Sequence, residues 1–90
     1  MPVLQIPKQL RAYCGGADFV ELEGDAVSEL LSGLAVRFPE LGSRVLDAAG
    51  VLAPHLVLIQ NDVVLRPSEV ANVRVAADDE LRIFTAVSGG

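Results

Sequence analysis

Catalytic side chains are scarce in this sequence. It holds one histidine, one cysteine and one tyrosine, and His55 stands far from Tyr13 and Cys14. A histidine acting as general base needs an orienting partner and a reacting group in reach, and no motif surrounds His55. A lone cysteine forms no internal disulfide, and no metal-ligating Cys/His spacing is present. Cys14 therefore reads as a small residue before a turn rather than as a nucleophile or persulfide carrier, and its solitude fits a cytoplasmic location. Positive charge is also sparse: seven Lys and Arg face twelve Asp and Glu, for a net charge of −5 with no basic run. Binding to nucleic acid rests on clustered cations, so this composition excludes nucleic acid as the main partner. Pro2, Pro7 and Lys8 break any N-terminal apolar run, so no signal peptide is expected. No apolar stretch reaches the length that spans a bilayer, so no membrane partner is expected either.

Two further candidates for chemistry fail on their surroundings. Asp78-Asp79-Glu80 offers carboxylates but too few oxygens for a metal, and three acids in a row suit a turn between strands. Gly15-Gly16 lacks the Gly/Lys/Ser pattern of a phosphate loop. The expectation is a protein that is not itself an enzyme, with no catalytic residue, no metal and no bound cofactor.

What the chain does contain is a globular composition, 51% hydrophobic and 21% charged over 90 residues. That suffices for one domain with one core. Residues 3–6 form a short apolar run stopped by Pro7, which has no N–H for a ladder, and read as a first strand. Residues 8–14 read as irregular and Gly15-Gly16 as a turn. Residues 17–23 alternate, with Val20 and Leu22 on one face, and predict a second strand antiparallel to the first. Asp25 is the expected N-cap of a helix, since its carboxylate would accept from free N–H groups of the first turn. Val27, Leu30, Leu31, Leu34 and Phe38 make one apolar stripe along that helix, and Pro39 ends it.

Residues 40–47 suggest further helical turns, weakened by Gly42, and residues 48–54 an apolar loop lying against the domain or a partner. His55–Gln60 reads as a well-covered strand, Asn61-Asp62 as a tight turn and residues 63–65 as the returning strand. Residues 66–69 read as loop, residues 72–76 as a short strand and Asp78-Asp79 as a turn. Residues 80–86 form the last strand, with Leu81 and Ile83 on one face and Arg82 and Phe84 on the other. Two strands, a helix, then two or three strands is the order of a β-grasp, an α+β fold of the ubiquitin type. Its mixed sheet of four to five strands wraps one main helix, with the last strand parallel to the first. Residues 1–86 are read as the β-grasp domain and residues 87–90 as a flexible C-terminal tail.

The tail carries the chemistry. Gly90 supplies the α-carboxylate, ionised at neutral pH because such groups titrate near roughly 3.3–3.7. A carboxylate attacks the α-phosphorus of ATP to give an acyl-adenylate, which is open in turn to a thiolate or persulfide. Gly89 and Gly90 present no side chain to obstruct a narrow site, and glycine accepts backbone angles that other residues resist. Ala86, Val87, Ser88 and Gly89 would present Gly90, reaching about 17 Å when extended. Phe84, on the sheet's outer face, is the candidate docking residue.

Several stretches resemble the MoaD/ThiS family of ubiquitin-like sulfur carriers. They are Leu10-Arg11 after the first strand, Gly15-Gly16, Gly24-Asp25 before the helix, Gln60-Asn61-Asp62 and Asp78-Asp79-Glu80-Leu81, ending in Ala86-Val87-Ser88-Gly89-Gly90. The resemblance implies that Gly90 is adenylated by a ubiquitin-activating-type adenylyltransferase, which consumes ATP, and becomes a thiocarboxylate. A second partner, a sulfur-accepting biosynthetic enzyme, would take the sulfur for cysteine, molybdopterin or the thiazole of thiamine. The length, Gly15-Gly16 and Asn61-Asp62 are most similar to the carriers of cysteine biosynthesis. The alternatives are the small subunit of molybdopterin synthase and a ubiquitin-like modifier conjugated to lysines. The chain departs from the family where Thr85-Ala86 replaces a common proline and Asp78-Asp79 a common Gly-Asp, and Glu40–Pro54 is longer than in short members.

Overall fold

A computed structural model describes residues 1–65 and 69–85. Five strands form one sheet in the order β2-β1-β5-β3-β4. They are Val3–Gln5 (β1), Phe19–Glu21 (β2), Leu56–Gln60 (β3), Val63–Val64 (β4) and Glu80–Thr85 (β5). β1 lies antiparallel to β2 with Leu4 opposite Val20, and parallel to β5 with Leu4 opposite Leu81. β3 lies antiparallel to β5 with Leu58 opposite Ile83. The first and last strands therefore run side by side, as the expected β-grasp requires, and β5 is central.

Two helices follow β2 in the chain, Val27–Arg37 (α1) and Pro39–Val45 (α2). The stripe read from the sequence is the buried face of α1: Val27, Leu30, Leu31 and Leu34 are at most 4% exposed. They share one core cluster with Leu4, Ile6, Val20, Leu58, Leu81 and Ile83 from the sheet, and with Leu41 and Val45 from α2. Gly42, which counts against a helix by propensity, sits at the contact between the two helices. A Cβ there would lie 2.6 Å from Ala35 Cβ and 2.7 Å from its Cα, so only glycine lets the helices approach this closely.

The start of α1 corrects the sequence reading. Ala26, not Asp25, holds the N-cap position, and no side chain caps it. Residues 25–27 are instead held extended against 73–75: Val27 N–H donates to Val73 O at 2.9 Å and Val75 N–H to Asp25 O at 3.0 Å. That bridge takes up the backbone where a capping turn would form. The carboxylate at this helix start is Glu29, which accepts from Asp25 N–H at 2.7 Å. The bridge is also what the expected strand at 72–76 becomes, since Val70–Asn72 is a 3₁₀ turn and only Arg74 pairs, with Ala26.

Residues 8–14, read as irregular, form a 3₁₀ helix ended by Gly15 in the left-handed region. Three residues per turn put Leu10 and Tyr13 on one side, and both pack partly against the core. Asn61 and Asp62 have φ of 47° and 73°, the paired left-handed conformation of a two-residue hairpin turn. Only the end of the apolar loop lies against the domain, with Ala53 buried and Leu52 partly so, while residues 48–51 are exposed and turn on Asp47 Oδ1, which accepts from Ala49 N–H at 2.9 Å and Val51 N–H at 3.1 Å. No helix among the described residues is long and apolar enough to cross a membrane.

Candidate functional site: the end of the central strand

β5 ends at Thr85, five residues before the C-terminal glycine. Its alternation is the one read from the sequence. Leu81 and Ile83 are each 1% exposed and face the core, whereas Glu80, Arg82 and Phe84 face outward. Phe84 is 43% exposed, so its ring is not a core residue. It lies across from Val57 on β3, and Arg82 lies across from Ile59. Val64, opposite Ile59, extends the same apolar stripe toward the sheet edge. An exposed phenylalanine on a central strand is a ready contact for a partner, because burying an aromatic ring gains much contact area at low entropic cost.

A network at the other end of β5 fixes the strand. The Asp79 carboxylate accepts from Gln60 Nε2 at 2.9 Å, Asn61 Nδ2 at 2.8 Å and Ala76 N–H at 2.7 Å. Asn61 Oδ1 in turn accepts from Glu80 N–H at 2.9 Å. The bond from Ala76 N–H, then those from Asn61 and Gln60, holds the Asp79 carboxyl below its ordinary value of 3.8, against a smaller opposing effect of burial. The Asp78-Asp79-Glu80 run is thus a structural turn whose middle carboxylate is committed to hydrogen bonds. Among the described residues no three potential ligands come together as a metal cluster.

Beside the end of β5 runs a groove of about 530 Å³ lined by Pro7, Lys8, Arg11, Arg82, Phe84 and Thr85 among others. The sequence reading placed Phe84 and Arg82 together on this face but missed Lys8 and Arg11 beside them. Lys8 and Arg11 come from the 3₁₀ helix and Arg82 from β5, so no local run of charge announces the group. The other singled-out residues lie elsewhere. Cys14 is 4% exposed, its Sγ directed to the carbonyls of Arg11 and Ala17 at 3.5 Å each. His55 is exposed and shares a shallow hollow with Leu10, Ser43 and Arg44, and no carboxylate among the described residues lines it. Ala86, Val87, Ser88, Gly89 and Gly90, assigned to the reactive tail, lie outside the described residues.

Known proteins match this chain in sequence and in fold. Sulfur carrier protein CysO of Mycobacterium tuberculosis is 29% identical over 89 residues, covering 97% of this chain and 96% of that protein. Small archaeal modifier protein 1 of Haloferax volcanii is 38% identical over 72 residues, covering 79% of this chain and 78% of its own. In the Amycolatopsis orientalis BexX/CysO complex, a chain of 29% identity superposes with a TM-score of 0.87 over the full length of both. The first of these is named a sulfur carrier and the second a modifier, and the superposition supports the β-grasp fold of this chain. With residues 4–90 matching its pattern, the C-terminal glycines included, the chain belongs to the ThiS family.

Proposed function

We propose that this protein is a sulfur carrier whose working group is the Gly90 carboxylate. One observation carries the reading. The family match extends through residue 90, and β5 brings the chain to Thr85 with only Ala86-Val87-Ser88-Gly89-Gly90 to follow. A ubiquitin-activating-type adenylyltransferase supplies the chemistry and consumes ATP. The Gly90 carboxylate attacks the α-phosphorus and pyrophosphate leaves. A sulfur donor then adds to the acyl carbon and AMP leaves, giving a terminal thiocarboxylate. The protein contributes the end of its chain and a docking face, with Ala86 to Gly89 presenting Gly90 and Phe84 contacting the partner. It binds no cofactor of its own.

The similarity to CysO supports cysteine biosynthesis in the cytoplasm as the destination of the sulfur. The complex of the Amycolatopsis relative with BexX supports an enzyme partner that receives it. The test is intact-mass measurement after incubation with ATP, sulfide and the activating-type enzyme of the same genome. The expected product shows one oxygen-to-sulfur exchange, and deletion of Gly90 abolishes it. An exchange that survives the deletion would falsify the assignment.

A second reading, conjugation of Gly90 to lysines of other proteins, is favoured by the similarity to a small archaeal modifier. It uses the same adenylate but ends in an isopeptide bond. Arg82 is the last described tryptic site before the terminus, so conjugates would leave a branch running from Ile83 to Gly90 on the acceptor lysine. Proteome-wide search for that branch separates the two readings.

A further inference from the structure

The groove at the end of β5 brings together three of the chain's seven Lys and Arg residues. Among the described residues Lys8, Arg11 and Arg82 line it and no Asp or Glu does, on a chain of net charge −5. Arg11 is fixed in place because its Nε donates to Ile6 O at 3.0 Å. Arg82 reaches Glu80 at 3.8 Å, but both side chains are about half exposed, and such a pair holds weakly in water. The apolar surface between the cations comes from Pro7 and Phe84. At the opposite end of β5 the sign changes: Asp62 and Glu80 line a smaller hollow of about 290 Å³, with Arg82 at its border.

We propose that this groove receives an acidic segment of the partner protein, with Asp or Glu residues on either side of an apolar side chain. This deepens the carrier reading, on which it rests, by naming the chemistry that recognises the partner. The carboxylates meet Lys8, Arg11 and Arg82, and the apolar side chain packs on Pro7 and Phe84. A nucleic acid is disfavoured, because three cations on an acidic protein do not offset a polyphosphate. The change of sign along β5 gives the contact a direction, since a segment docked in reverse would set its acids against Asp62 and Glu80. Thr85 lines the groove, so a segment seated in it lies beside the residue after which the last five follow. Docking there would fix the side from which Gly90 is received.

The direct test needs no adenylation and so stands apart from the test of the carrier reading. The full chain, labelled with ¹⁵N, is titrated with a synthetic peptide carrying acidic residues around a central Leu-Phe. Amide shifts are expected at Lys8, Arg82, Phe84 and Thr85, weakening with added salt and lost in a Lys8→Glu/Arg82→Glu variant. Where the double variant fails to fold, Lys8→Glu alone, at an exposed site, is expected to reduce the same shifts. Absence of shifts at millimolar peptide, shifts concentrated at the Glu80 end, or shifts unchanged in a folded variant overturn the proposal. Tighter binding of a single-stranded oligonucleotide than of the peptide overturns it as well. With the activating enzyme, the folded charge-reversal variant should be adenylated about tenfold more slowly at low ionic strength, with the difference closing at high salt. An equal rate at low salt counts against the groove as the docking site.

Discussion

Asn61 and Asp79 hold each other's segments reciprocally. Asn61 Nδ2 donates to Asp79 Oδ1 at 2.8 Å, while Asn61 Oδ1 accepts the N–H of the residue after Asp79 at 2.9 Å. The hairpin turn is thereby locked to the start of β5, and the strand that carries Phe84 is registered against β3 from one end.

The Asp79 carboxyl is held below its ordinary value of 3.8 by bonds to Ala76 N–H, Asn61 and Gln60. A depressed folded-state value means stability that is present above the unfolded value and lost as pH falls through the folded one. Asp79→Asn should therefore cost about 1–2 kcal/mol at neutral pH, since charge-accepting bonds are lost from a partly exposed group. The gap from the parent protein should narrow as pH falls below about 4. Urea midpoints of both proteins across pH check this. A gap constant from neutral to acid pH would show that the carboxylate's charge is not what holds the hairpin.

Gly42→Ala places a methyl 2.6 Å from Ala35 Cβ, where the α1–α2 contact has no room. Overpacking of this kind costs about 1–3 kcal/mol. Helix propensity alone predicts the opposite sign, a gain of up to about 1 kcal/mol. Thermal unfolding of the variant decides which effect wins, and a raised melting temperature would contradict the close approach.

Cys14, 4% exposed and directed at two carbonyls, should react slowly with a thiol reagent in the native protein and quickly in denaturant. Rapid native labelling would revive it as a persulfide carrier. The expected protection accords with the proposal that Gly90, and not Cys14, holds the sulfur.

Phe84→Ala should separate folding from function. The ring is 43% exposed, so its removal should change stability by about 1 kcal/mol or less. Adenylation of Gly90 should nevertheless slow severalfold, because an exposed aromatic ring anchors a contact out of proportion to its number of atoms. Equal adenylation rates with matched unfolding curves would remove Phe84 from the docking face.

The elements that sequence alone made legible are those with a strong period. The α1 stripe and the alternation of β5 each bury one face completely, so the pattern of burial is written into the residue types. Asn61-Asp62 was legible because few residues accept left-handed angles at both turn positions. The 3₁₀ helix at residues 8–14 was not, since its signal is only Leu10 and Tyr13 one turn apart. Asp25 misled because a good capping residue was claimed by a backbone bridge to residues 73–75, a contact between distant segments that no local window contains. The same limit applies at the site. Phe84 followed from its strand, but the meeting of Lys8 and Arg11 with Arg82 depends on the parallel pairing of β1 with β5, which brings opposite ends of the chain together.

That pairing also orders events during synthesis. β5 is the central strand and the last described element, so β1 and β3 each keep an open edge until residue 85 has left the ribosome. A nascent chain short of that point has neither a closed sheet nor an outer face bearing Phe84 and Arg82. On the proposed reading, the face that a partner would contact forms only when β5 joins the sheet. An activating enzyme that requires the face would ignore incomplete and unfolded chains, and maturation of the carrier would be checked by its own topology.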